Sequence, residues 1–456
     1  MADLKHIHNI YFIGIGGIGM SALARYFRLH GKTVSGYDKT ETALTKELVK
    51  EGIPVSYIDD PDSIPKDVQL VVYTPAIPKD HKGLGYYRHH GFELMKRSEV
   101  LGLITADSLN VCVAGTHGKT TISTMIAHIL RDSGMGSNAF LGGISSNYNT
   151  NFWSHKNNIC VVEADEYDRS FLKLHPDIAV ISSMDADHLD IYGTGEAVNE
   201  AFIAFSRKIK SGGTLVQKHG LPVPKPTEDI QQLSYHLTDQ RADVYTKNLR
   251  ILSGNYVFDV QGRDDIMKDV RLNVGGWHNV ENALAAITAC RKLGLSGEKI
   301  IPALNNFRGV KRRFEYHVQG SGPIYIDDYA HHPRELEVLI SSARELFPDR
   351  IIRIVFQPHL FSRTRDFADG FAAALDKADE VILLPVYPAR ELPIEGISSA
   401  TIADKMVRVK GQIMSKQEVL DSAGKIEQGK KILLITAGAG DIDELVKPLT
   451  DLLKTK

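Results

Sequence analysis

Short apolar runs recur along the chain, each closed by glycine, acidic residues, threonine or proline, and several lead directly into stretches with helical spacing. Ile10-Tyr11-Phe12-Ile13 has the character of a buried strand, residues 20–30 carry a helical pattern, and residues 33–37 form a second strand ending at Asp38. Leu70-Val71-Val72-Tyr73 is a further strand of the parallel type. Runs at 111–114, 159–162 and 178–181 repeat the theme, with a helix over 122–130 after the first. Beyond a proline-rich connector at 221–226, alternating segments such as Tyr256-Val257-Phe258-Asp259-Val260 predict an antiparallel addition over 244–274. An alanine-rich helix follows at 283–291, and strands at 324–326, 351–356, 381–384 and 432–435 return to the first rhythm. Strand–helix alternation of this kind predicts an α/β protein with parallel sheets. Breaks near 105–109 and across 307–315 divide it into three expected domains, 1–107, 108–316 and 317–456. A length of 456 residues agrees with that number at about 150 residues per domain.

Composition mainly excludes. An apolar fraction of 43% and a charged fraction of 24% belong to an ordinary globular protein, and a net charge of −2 offers no electrostatic footprint for nucleic acid or an anionic membrane. No apolar run approaches the length of a membrane span, and residues 1–9 lack the apolar region of a signal peptide. Cys112, Cys160 and Cys290 each sit inside an apolar run without metal or pairing spacing, so reduced core thiols in a cytoplasmic protein are expected.

Chemistry concentrates where strands end. Gly115-Thr116-His117-Gly118-Lys119-Thr120-Thr121 stands between a strand and a helix, the geometry of a phosphate cradle. Gly115 and Gly118 allow backbone N–H groups to turn toward an anion, Lys119 can reach terminal phosphates, and the Thr120 hydroxyl can hold magnesium. Lys119, as a loop residue, is expected to contribute little to the core. Gly14-Ile15-Gly16-Gly17-Ile18-Gly19 lies between the first strand and first helix, so Gly14, Gly16, Gly17 and Gly19 suit a pyrophosphate. Asp38, after the second strand, suits ribose hydroxyls; any ribonucleotide diphosphate satisfies this chemistry, NAD included. Thr74-Pro75-Ala76-Ile77-Pro78 is either a ligand loop or a plain turn. Strand ends bring Glu163 and His188 to the crevice of Lys119 and Thr120, and a carboxylate with an imidazole beside a triphosphate suits a divalent metal. Asn279 reads as a helix cap, whereas Asn282 is freer to present its amide to a base. Residues 307–315 are a hinge or a solvated basic run. His331 and His332, adjacent and without cysteine, make a poor zinc site.

Taken together and in order, GIGGIGMSALA at 14–24, GTHGKTT at 115–121, EADEYDRSFL at 163–172, DADHLDIYG at 185–193, HNVENALAA at 278–286, FRGVKRRFE at 307–315, DDYAHHP at 327–333, FQPHLFSRT at 356–364 and YPARE at 387–391 resemble the ATP-dependent amino-acid ligases of bacterial cell-wall synthesis, the Mur ligase family, on its alanine-adding branch. The resemblance spans the chain and implies an N-terminal Rossmann-like UDP-sugar domain, a central P-loop ATPase-type domain and a C-terminal Rossmann-like amino-acid domain. It implies ATP and magnesium as cofactors, and joining of L-alanine to the lactyl carboxylate of UDP-N-acetylmuramate through an acyl phosphate. On that pattern Thr120 and Glu163 hold one magnesium, Glu163 and His188 a second, and Asn282 reads adenine. Arg313 and Asp328 approach the nucleotide, while Tyr329, His331 and Arg363 shape the amino-acid site. The expected assembly is a monomer or weak homo-oligomer. Several sister ligases carry a carbamylated lysine shortly after the counterpart of His188. Here Ala201-Phe202-Ile203 offers none before Lys208, in agreement with the alanine-adding branch. The rival within the family is the ligase that recycles murein tripeptide onto the same sugar. A folylpolyglutamate-type ligase lacks the N-terminal glycine loop, an NAD oxidoreductase would leave everything after residue 110 unexplained, and a non-catalytic scaffold would not need Glu163 and His188.

Overall fold

A computed structural model describes residues 4–186, 189–263, 265–389, 391–427 and 429–455. Three mixed or parallel sheets account for the apolar runs. The first has five parallel strands in the spatial order Val55–Ser56, Thr33–Tyr37, Asn9–Ile13, Leu70–Tyr73, Leu94–Lys96. Its order reverses beside Asn9–Ile13, so the glycine loop that follows this strand sits at the topological switch point, where open α/β sheets bind ligands.

The second sheet runs Gln231–His236, Thr214–Lys218, Ile178–Ile181, Leu109–Ala114, Ile159–Glu163, Asn138–Ser145, Thr150–Trp153. All neighbours are parallel until the last pair, which is antiparallel. Val244–Leu252, Asn255–Gln261 and Ile266–Leu272 extend it to ten strands. The antiparallel addition expected over 244–274 is corrected at its join: Tyr235 faces Val244 and His236 faces Tyr245 in parallel register. Alternation reports which face of a strand is buried and carries no information about the direction of its neighbour. The third sheet runs Glu315–Val318, Ile324–Asp328, Ile432–Ala437, Ile351–Phe356, Glu380–Leu383, Gln412–Ile413, with only the first pair antiparallel.

Contacts divide the chain into two compact units. One holds Met1–Lys247, Asp259–Val270 and Glu281–Asn305; the other holds Asn248–Phe258, Arg271–Val280 and Asn306–Lys456. The first sheet and the seven strands of the second from Leu109 to His236 fall in one unit because they share a core: Leu23 and Phe27 belong to the same buried cluster as Phe140, Phe152 and Phe171. Tyr26 lies 5.6 Å from Phe140 and 6.0 Å from Phe152, ring to ring. Beside these rings Asn151 is fully buried, donates to Ile18 O and to Ser21 Oγ at 3.0 Å, and accepts from Arg25. Arg25 in turn grips Glu51 with two bonds of 2.7 Å. A carboxamide that satisfies three groups from one helix acts as a specific fastener between the two sheets. The three cysteines are buried and free, and no helix among the described residues is long and apolar enough to cross a membrane.

Replacing this fastener tests the shared core. Asn151→Ala removes one acceptor from Arg25 and one donor each from the Ile18 carbonyl and Ser21 Oγ, and unfolding free energy in denaturant is expected to fall by about 1–3 kcal/mol. A change below about 0.5 kcal/mol would show that the apolar contacts alone hold the two sheets together.

Candidate active site

Register places the chemistry. Val113 pairs with Glu163 and Ala114 with Ile181, so three parallel strands end side by side and release their loops into one crevice. After Ala114 the chain turns through Gly115 at φ 136° and Gly118 at φ 84°, conformations open to glycine. A Cβ on Gly115 would stand 2.1 Å from Ser182 Oγ, and one on Gly118 2.7 Å from Asn282 Oδ1. Helix Lys119–Asp132 begins there, directing its first N–H groups at the crevice.

The neighbouring strand end straps the loop. Ser183 Oγ lies 2.9 Å from Thr116 Oγ1 and accepts from His117 N at 2.8 Å, while Thr116 Oγ1 accepts from Asp185 N at 3.1 Å. Ser182 Oγ donates to His117 O, and His117 Nε2 stands 3.4 Å from Asp185 Oδ2. Thr116 and His117 thus shape the loop, and Thr121 is buried behind Thr120 in the first helical turn. Ser182 and Ser183 carry no signal in the sequence, because hydroxyls after a strand are common. Only their fit around Gly115 distinguishes them.

Thr120 Oγ1 donates to Glu163 Oε1 at 3.0 Å, and Glu163 Oε2 accepts from Gly142 N at 2.9 Å. A Cβ on Gly142 would fall 2.2 Å from that oxygen, so glycine is required for the carboxylate to lie here. A hydroxyl and a carboxylate beside a phosphate loop are hard oxygen donors, a set that fits magnesium. His188 lies outside the described residues. Lys119 Nζ donates to Gly115 O at 2.8 Å and is ion-paired with Glu166, 2.8 Å from Oε1 and 2.7 Å from Oε2. The Glu166 side chain is 1% exposed and that of Lys119 14%. The expectation that Lys119 matters little to the core is therefore corrected: it is the counter-ion of a buried carboxylate, which periodicity does not reveal.

Asn282 is buried against Gly118. Its helix, Trp277–Lys292, starts earlier than expected, which corrects the reading of Asn279 as a cap. Asn279 lies in the first turn, with Nδ2 donating to Gly275 O at 2.6 Å. In the first sheet, Gly14 has φ 86° and packs against Thr74 and Ile77, so the 74–78 segment does border the glycine loop. Gly17 caps helix Ile18–Leu29, and a Cβ on Gly19 would stand 2.8 Å from Arg97 Nη1. Asp38 turns back onto this loop: Oδ2 accepts from Gly16 N at 2.8 Å and Oδ1 from Thr40 N at 3.3 Å. Asp38 thus organises the glycine loop through the backbone N–H of Gly16.

In the second unit, Asp328 is also engaged. Its Oδ2 accepts from Phe314 N at 2.7 Å and its Oδ1 from Ala330 N at 2.8 Å, which clamps the 307–315 segment. Arg313 is exposed, and its charge acts on Asp328. The neighbouring Arg312 donates to Asp327 Oδ2 at 3.1 Å and to Gly438 O at 2.6 Å, with its guanidinium 5.1 Å from the Tyr329 ring. Burial pushes Asp327 up to about 7 and Asp328 up to about 6. Tyr329 is 45% exposed and lies 5.2 Å from His331, whose ring is 6.4 Å from His359. His359 stacks on Tyr387, and burial, then the charge of Arg363, lower its basicity. Arg363 Nη1 is buried with no hydrogen-bond partner among the described residues. Its helix, Phe361–Asp366, follows Leu360 at φ 69°, a strained entry held by the strand end. Tyr329, His331 and Arg363 thus gather around His359, a residue that the sequence offered only as part of a motif.

Two outcomes are expected. Gly142→Ala must swing the Glu163 carboxylate off Thr120, so magnesium-dependent phosphate release should fall at least about 100-fold; activity within about threefold of the parent would show that Glu163 is not fixed there. Asp327 binds its proton more tightly folded than unfolded, so its contribution to stability is greatest below about pH 4 and is lost as pH rises through about 7. Unfolding free energy should therefore rise as pH falls from about 8 to about 5, and Asp327→Asn should flatten that slope in pH-resolved denaturation.

Three family models cover the chain: residues 9–108 match the Mur ligase family catalytic domain, 113–290 the Mur ligase middle domain and 312–440 the Mur ligase glutamate ligase domain. The UDP-N-acetylmuramate–L-alanine ligase of Flavobacterium johnsoniae is 48% identical over 455 residues, 99% of each chain. That of Parabacteroides distasonis is 47% identical, covering 99% of this chain and 98% of the relative. Among solved structures, a UDP-N-acetylmuramate-alanine ligase from Thermotoga maritima matches with a TM-score of 0.83 at 28% identity, over 99% of this chain and 100% of that one. A murein peptide ligase from Psychrobacter arcticus matches at 0.68 with 22% identity over 99% of both chains, a likeness of fold alone. With all three domains matched in order and full-length relatives at 48% identity, the chain belongs to the Mur ligase family.

Proposed function

We propose that this chain joins L-alanine to the lactyl carboxylate of UDP-N-acetylmuramate, with cleavage of ATP to ADP and phosphate. The observation that carries this reading is the 48% identity, over the whole length, to a ligase of that name. The crevice formed by Gly115–Gly118, Lys119, Thr120 and Glu163 supports it. A carboxylate is a poor electrophile toward an amine. Its oxygen attacks the γ-phosphorus, the bond to the β-phosphate bridge breaks, and ADP leaves an acyl phosphate. The neutral amine of alanine adds to that carbonyl, loses a proton, and the tetrahedral species expels phosphate to leave the amide.

Bringing two anions together demands positive charge fixed in advance. Lys119 and the N–H groups at the start of its helix supply it. Thr120 and Glu163 would hold magnesium, which neutralises charge between the terminal phosphates, and His188 would complete a second site. Asn282, beside Gly118, suits the adenine amide contact. The glycine loop 14–19, at its sheet's switch point, suits the UDP diphosphate. In the second unit the Arg363 nitrogen that has no partner among the described residues suits the α-carboxylate of alanine, because a guanidinium binds a carboxylate through two parallel bonds. Tyr329 and His331 would bound the side-chain space. Consumption of ATP and a nucleotide sugar supports a cytoplasmic location for the reaction.

Phosphate release with each amine tests the reading. L-alanine should be preferred over glycine by roughly 10- to 200-fold, the worth of one methyl group in a pocket. Arg363→Lys should raise the KM for alanine far more than that for ATP. Faster turnover with the murein tripeptide than with L-alanine would assign the chain to recycling.

A further inference from the structure

Four carboxylates lie within six residues of the crevice segment: Glu163, Asp165, Glu166 and Asp168. Glu163 meets Thr120, as described. Asp168 accepts from Lys96 at 2.9 Å, and Asp165 stands 3.7 Å from Arg97, so two cations of the first sheet's domain anchor the segment. Its backbone is held as firmly: Tyr192 Oη donates to Glu166 O at 2.6 Å, Arg169 N to the same oxygen at 2.9 Å, and Phe171 N to Asp165 O at 3.0 Å. Asp168 at φ 52° and Arg169 at φ 55° are left-handed non-glycine residues, a conformation kept only where the surroundings over-determine it.

Glu166 is thus a buried charge on a rigid support, and the group it faces is Lys119. An ammonium has three N–H donors. One goes to Gly115 O and one to Glu166 Oε1, each at 2.8 Å, with Oε2 2.7 Å from the same nitrogen. A phosphate that takes the remaining donor meets an ammonium already paired with this carboxylate. Leaving a buried carboxylate without its cation is strongly unfavourable, so Lys119 does not swing away to follow a substrate.

Resting on the ATP reading above, we propose that Glu166 is a positioning residue for Lys119. It pins the ammonium against the loop, so that the charge meets the γ-phosphoryl group where negative charge develops and not wherever ground-state ATP draws it. An interaction made only in the transition state raises kcat, whereas a lysine free to track the ground state strengthens binding without speeding the reaction.

Glu166→Gln keeps the shape and removes the charge. Its kcat should fall roughly 10- to 100-fold while the KM for ATP, and the Kd of a non-hydrolysable ATP analogue measured by calorimetry, stay within about threefold of the parent or decrease. Glu166→Asp retains the charge one methylene short of Lys119 and should lie between the two, and it carries the same comparison should the glutamine variant not fold. A role confined to folding would instead weaken analogue binding and lower the melting temperature together. Glu166→Gln with kcat within about twofold of the parent, a kcat loss matched by an equal loss of analogue affinity, or unfolding of both variants would each overturn the proposal. Failure of the ATP reading itself would be visible separately, as no analogue binding by the parent.

Discussion

Parallel register is the constraint on which the rest depends. Because Val113 faces Glu163 and Ala114 faces Ile181, three chain segments leave the second sheet at the same edge. Everything that follows at that edge, the glycine turn, the helix start, Glu163 and the Ser182–Ser183 strap, inherits its position from backbone hydrogen bonds. A slip of one residue would turn Glu163 to the opposite face of its strand and separate it from Thr120. The fully buried apolar faces of these strands make such a slip costly: Val111, Cys112, Val113, Val161 and Val162 have no exposure.

Close packing then makes the site exclusive. Gly115 is wedged against Ser182, Gly118 against Asn282, and Gly142 against Glu163. At each place the absent Cβ is filled by a polar atom that belongs to the site, so the glycines serve as sockets for side chains as much as hinges for the backbone. The first sheet repeats the device, with Gly16 against Asp38 and Gly19 against Arg97.

Buried charge sets the electrostatics in both units. Lys119 with Glu166, and Arg312 with Asp327, each pair a cation with a nearly inaccessible carboxylate. Such pairs add little net stability, since desolvation offsets their attraction, yet removing one partner is severe. Their value is that a charge so held stays in place. In the first unit that charge lies beside the phosphate loop. In the second it adjoins Tyr329, next to the group of His331, His359 and Arg363.

Much of this was legible in the chain. Apolar runs bounded by glycine and acidic residues located Asn9–Ile13, Thr33–Tyr37, Leu70–Tyr73 and Ile178–Ile181, because a strand buried on both faces must be continuously apolar. Lys119, Thr120 and Glu163 were legible because phosphate chemistry demands those residue types directly after a strand. Other features depended on contacts between distant segments: Asp38 folding back onto Gly16, Asp328 clamping Phe314, and Glu166 meeting Lys119. A carboxylate looks the same in sequence whether it faces solvent, a backbone N–H or a buried ammonium. The sequence by itself determined which elements form and what chemistry their ends carry, since both follow from local patterns. Only the tertiary structure decided which charged groups were already committed to one another, because that depends on distances across the chain.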